Sequence, residues 1–161
     1  MRSARRFFAL CLVIVFVAFA TSCDEGRTAR ELMDEFLDSY SAAGRLFSPE
    51  IPEGQEGHST DAFFEKLYGD GREFVSDYAV FLSSDLESIE EAAVFVCYGE
   101  YDAMMVAQIA YRRIELIRSL GGSVNTDNLE EAFVFRKGRY VVMCLLEDNA
   151  TAKRIWRSIL R

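Results

Sequence analysis

The sequence predicts an α+β domain: a mainly antiparallel sheet of about four strands, with helices packed on it and a helical segment at its N-terminal end. Three observations carry this. Apolar residues recur at three- and four-residue steps in four separate segments, the pattern of helices with one buried face. Two short runs, YAVFLS and AAVFVCY, are rich in β-branched and aromatic residues and read as strands. Two further runs, AFVFR and RYVVMCLL, flank Lys137-Gly138, and extended segments joined by a glycine-containing pair read as a hairpin.

In chain order, Leu32, Met33, Phe36, Leu37 and Tyr40 make one stripe of a helix over residues 29–43, which Gly44 can close. Residues 44–60 hold both prolines of the chain, Pro49 and Pro52, among several Gly and Ser, and read as a loop. Thr60 or Asp61 can cap a short helix through Phe63, Phe64, Leu67 and Tyr68, with Gly69 as its stop. The strand from Tyr78 to Ser83 follows. The second strand, beginning after Glu90-Glu91, is apolar on both faces, so it should lie centrally and be covered on both sides. Asp102 can cap the longest helix, which runs to about Leu120. Its buried stripe is Val106, Ile109, Ala110, Ile117 and Leu120, with Arg113 inside it, and Gly121-Gly122 ends it. After the hairpin, Asp148 or Asn149 caps a last helix with Ala152, Ile155, Trp156, Ile159 and Leu160 on its apolar face.

Ahead of this domain the chain begins MRSARRFFALCLVIVFVAFATSC. Arg2, Arg5 and Arg6 make a cationic start, and residues 7–20 an uncharged apolar run. That run falls short of the roughly 20 residues needed to span a bilayer. A charged start, a short apolar middle and a small-residue end are the layout of a secretory signal. Ala20-Thr21-Ser22-Cys23 resembles the lipobox of bacterial lipoproteins, in which the Cys is acylated and becomes the first mature residue. The expected organisation is therefore a signal in residues 1–22, a lipidated tether in residues 23–28 and a single domain in residues 29–161. Two or more acyl chains give stable attachment, which places the mature protein on the extracytoplasmic face of the cell membrane.

The mature part has 139 residues, one domain's worth, with 15 Lys and Arg against 26 Asp and Glu. A net charge of −11 is repelled by phosphate backbones and anionic lipid head groups, so nucleic acid is not an expected partner, and the anchor rather than a basic surface should hold the membrane. Cys11 leaves with the signal and Cys23 is the anchor. Cys97 and Cys144 remain, both in apolar runs, and two readings stand: inert buried thiols, or a disulfide between neighbouring strands. Their spacing is unlike that of a CxxC redox or zinc motif.

The constellations that carry chemistry are sparse. His58, the only histidine, lies in the glycine-rich loop without a GxSxG elbow, and reads as a solvated loop residue. Asp85, Glu87, Glu90 and Glu91 cluster at one corner, but their spacing does not match a calcium loop. No GxGxxG, Walker loop or HExxH is present, so neither cofactor nor metal is expected. Arg113 is the most anomalous residue. Its stem can pack while its head reaches water, or it forms a buried ion pair or an anion site.

Three stretches together resemble a family of small lipoproteins of unknown function from Gram-positive anaerobes, domain-of-unknown-function family 4358. They are Leu67-Tyr68-Gly69-Asp70 followed by Tyr78-Ala79-Val80, the helix with Arg113-Ile114-Glu115, and the hairpin from Phe133 to Val142. The resemblance covers most of the mature chain and implies an anchored extracytoplasmic domain with no known activity. The two body cysteines depart from the family's pattern. The functional expectation is a non-enzymatic binding or accessory domain with an envelope protein as partner. The alternatives are an envelope enzyme using surface carboxylates and a small-ligand-binding lipoprotein.

Overall fold

The computed structural model describes residues 26–84, 89–119 and 129–161. The expected export signal with Cys23, the acidic residues Asp85 and Glu87, and the expected end of the long helix at Leu120 with its glycine stop lie outside the described residues. Among the described residues there are four α-helices and a five-stranded antiparallel sheet, one strand more than expected.

Helix α1, Ala29–Tyr40, starts at a capping box: the Thr28 hydroxyl accepts from the Glu31 amide and the Glu31 carboxylate accepts from the Thr28 amide. A second carboxylate, Asp77 Oδ2, accepts from the Ala29 amide at 2.7 Å. The helix ends at Tyr40, earlier than expected, because Ser41 turns left-handed at φ 55° and returns its N–H to Leu37. Gly44 is therefore no helix stop. It opens strand β1, Gly44–Phe47, which pairs with the end of the next strand, Gly44 opposite Ser83. A Cβ at Gly44 would meet the Leu82 carbonyl and the Phe81 ring at 2.4 Å, so the strand seats only with glycine there. The loop that follows is tied down: Ser48 and Ser59 are buried and exchange backbone bonds with Gly57 and with each other.

Helix α2, Asp61–Tyr68, is capped by Thr60 and stopped by Gly69 at φ 64°, and leads through a 3₁₀ turn, Gly69–Phe74, into strand β2, Val75–Ser83. Strand β3 is Glu91–Cys97, and helix α3 runs over Glu100–Ser119, starting ahead of Asp102. Strands β4, Phe133–Lys137, and β5, Tyr140–Leu145, form the expected hairpin, with Gly138 at φ 55° in its turn. Helix α4, Asn149–Ile159, is capped by Asp148, whose carboxylate accepts from the Thr151 amide at 2.8 Å.

The strands lie in the order β1-β2-β3-β5-β4, which makes β3 the central strand, buried along its whole length. Its side chains alternate between two cores. Ala92, Val94 and Val96 face α1 and α4, where Phe36 stacks on Trp156 with ring centroids 4.7 Å apart. Ala93, Phe95 and Cys97 face α2 and α3, among Phe64, Tyr68, Val106 and Ile109. The result is a three-layer sandwich, helices on both faces of one sheet. No helix among the described residues is long and apolar enough to cross a membrane.

This register rules out the disulfide between Cys97 and Cys144. Cys144 sits opposite Ala92, five residues along β3 from Cys97, or roughly 17 Å at the rise of an antiparallel strand. The two thiols also belong to opposite cores, and both are free and buried. Burial pushes the Cys97 thiol up to about 12 and the Cys144 thiol higher still, so neither is a nucleophile at neutral pH.

Candidate functional site

Helix α3 carries the two features of the molecule that call for a function, one on each side. On its inner side is Arg113. Its Nη2 lies 2.7 Å from Glu91 Oε2, and its Nε lies 3.1 and 3.3 Å from the two carboxylate oxygens. The Tyr68 hydroxyl donates to Glu91 Oε1 at 2.6 Å. Glu91 is 1% exposed and the Arg113 side chain 16%. Arg113 is therefore neither a rim residue with its head in water nor an open anion site, but half of a buried ion pair. Glu91, expected in a solvated acidic corner, is its partner, because strand alternation sends Glu91 to the same face as Ala93 and Phe95.

Burial opposes the charge on Arg113, but the hydrogen bonds and charge of Glu91 outweigh it and hold the guanidinium above its usual value. Burial first, then the Glu91 charge, pushes the Tyr68 phenol well above its usual value. The cluster binds the start of β3, the end of α2 and the middle of α3 into one unit. Its carboxylate is enclosed and bonded on both oxygens, which gives it no access to a substrate.

On the outer side of α3, exposed aromatic and apolar side chains are interspersed with polar ones. Tyr98 and Tyr101 are each 67% exposed, and Met104, Tyr111 and Leu116 are exposed as well. These five are all the exposed large hydrophobic residues among the described residues, and every one lies on α3 or two residues ahead of it. Tyr101, Met104 and Tyr111 share one side of the helix by their spacing, with the exposed Gln108, Arg112 and Glu115 between them.

The other candidates do not converge. His58 is half-buried rather than solvated, its Nδ1 2.6 Å from the Ile51 carbonyl. Neighbouring Ser59 donates to the Tyr78 hydroxyl, so the pair holds the loop and forms no nucleophile–base couple. A cleft of about 320 Å³ does bring Glu90, Glu147 and Asp148 together. There Glu90 accepts from the Glu147 amide and Asp148 caps α4, so both carboxylates serve the backbone. Among the described residues no group of three or more His, Cys, Asp or Glu could hold a metal ion. Local sequence marked Arg113 but neither Glu91 nor Tyr68 as its companions, and the exposed stripe was legible only once the buried face of α3 was known. Compared with protein-family models, curated proteins and solved structures, the chain matches none.

Proposed function

We propose that this chain is an extracytoplasmic lipoprotein, acylated on Cys23 and held at the cell membrane, whose domain is a non-enzymatic binding or accessory module. The outer face of α3 is the surface that docks an envelope protein. The observation that carries this reading is that, among the described residues, the exposed large hydrophobic side chains all lie on α3 or just ahead of it, since exposed apolar side chains gathered in one place and rimmed by polar residues mark interaction sites. Tyrosine and methionine suit such a role, the first as a rigid amphipathic anchor and the second as an adaptable filler. The Arg113–Glu91 pair beneath supports the reading by fixing the helix to the sheet, so its outer face is presented in one position. The reading agrees with what the resemblance to small anchored lipoproteins implies.

The test is photocrosslinking in cells, with a photoreactive residue at Gln108 or Glu115, exposed between the tyrosines of α3, and, as a control, at Asp38 on α1. The expected outcome is one envelope protein captured from the α3 positions and lost in Tyr101→Ala/Tyr111→Ala. Equal capture from Asp38, or none from α3, sinks the docking reading. The mass of the N-terminal peptide from the same cells tests acylation of Cys23 separately.

A further inference from the structure

The net charge hides a strong polarity. Residues 133–161 carry 7 Lys and Arg against 2 Asp and Glu, whereas residues 23–132 carry 8 against 24. This basic segment meets the start of the domain at a cavity of about 520 Å³. Arg27, Lys137, Arg139 and Arg161 line it together with apolar residues that include Leu32 and Leu160, and no Asp or Glu side chain lines it. Arg27 is paired with Glu35. Lys137, Arg139 and Arg161 have no carboxylate partner among the described residues, and Arg139 stacks over the Tyr140 ring at 5.5 Å. The carboxylates of Glu50 and Asp77 face the adjoining groove, where Glu50 accepts from Thr28 and Asp77 from the α1 amide end.

Gly26 forms part of the cavity wall. It stands three residues after Cys23, a reach of roughly 10 Å of extended chain. An acylated Cys23 therefore holds the cavity about one Debye length from the head groups, where attraction to anionic lipid is felt. We propose that this basic cavity docks anionic phospholipid head groups, seating the domain with its basic pole on the membrane and its acidic flank outward. The orientation rests on the anchored reading; the binding chemistry does not. It also revises the expectation that a net-acidic body leaves all membrane contact to the anchor.

The experiment is vesicle flotation of the full mature chain carrying Cys23→Ser, so that no lipid is attached. Phosphatidylcholine vesicles with about a third phosphatidylglycerol are compared with phosphatidylcholine alone. Binding is expected to the anionic vesicles only, to weaken with salt, and to fall about tenfold in Lys137→Glu/Arg139→Glu. Arg45→Glu/Lys66→Glu makes the same change of net charge elsewhere and should leave binding within about twofold of the parent. Should the first variant melt early, Lys137→Gln/Arg161→Gln replaces it, with a fall of about threefold expected. Equal loss in both charge-reversal pairs, binding to neutral vesicles, or no binding overturns the proposal. So does release by low-millimolar inorganic phosphate at constant ionic strength, which would assign the cavity to small anions. Binding that appears only after Asp24→Asn/Glu25→Gln overturns it as well, since the tether would then fill the cavity. Because the assayed protein is unlipidated, none of these results bears on acylation, which the Cys23 peptide mass decides.

Discussion

The two faces of the sheet are sealed by different means. Under α1 and α4 the core holds no charged side chain and is built on Leu32, Met33, Phe36, Cys144 and Trp156. Even the Trp156 indole N–H finds no oxygen or nitrogen acceptor there and has the Cys144 sulfur beside it. Under α2 and α3 a similar apolar core surrounds one ion pair, Glu91–Arg113, with the Tyr68 hydroxyl completing it. Apolar packing is non-directional and tolerates exchange of shapes, whereas a buried ion pair is costly to break and fixes a position. The difference teaches that the face with the exposed tyrosines is also the one whose helix is tied to the sheet by a directional contact.

The largest effect should come from breaking the pair on one side. Arg113→Met leaves Glu91 buried without its cation and is expected to cost about 3–5 kcal/mol in urea unfolding. Arg113→Met/Glu91→Met should recover most of that loss while leaving α3 less firmly placed, read as faster amide exchange along 100–119. A single variant as stable as the parent would show that the two faces are sealed alike.

Tyr68→Phe sharpens the comparison at intermediate size. Losing a hydrogen bond to a charged acceptor should cost about 1.5–3 kcal/mol. Its pH dependence has a defined sign. The folded-state pKa of Tyr68 is raised by burial, so its contribution is fully present below the unfolded tyrosine value near 10. It is lost as pH rises above that value, because the unfolded chain then ionises first. The parent should therefore lose stability above about pH 10 more steeply than Tyr68→Phe, as followed by thermal melts across the alkaline range. Parallel curves would mean that Tyr68 is not held neutral.

The smallest effect belongs to the apolar face. Met33→Leu conserves volume and should cost less than about 1.5 kcal/mol. A larger loss would place specificity in that face too.

How much of this was legible in the sequence varies with the range of the interaction. Helices whose caps and stops are local, such as the one from Thr60 to Gly69, could be read with their ends. Strand β1 could not: GRLF is four residues long and ends two residues before Pro49, too short for a period, and it exists only because Val80–Ser83 pairs with it. Arg113 stood out because a cation interrupts an apolar stripe, yet its partner Glu91 lies 22 residues away on β3, and Tyr68, which completes the cluster, lies on α2, where no spacing rule reaches. The separation of Cys97 from Cys144 likewise needed the β3–β5 register, which shifts by one residue without trace in composition. The charge polarity was present in the order of residues all along, hidden by quoting one net value.

The double hold on the first turn of α1 has a mechanical consequence. Thr28 engages Glu31 and Glu50, and the Ala29 amide is bound by Asp77 on β2. A pull arriving through Gly26 is thus shared between the helix and an inner strand of the sheet, and α1 is not peeled away first. If the domain is tethered through Cys23 as proposed, this joint is where the load would enter the fold.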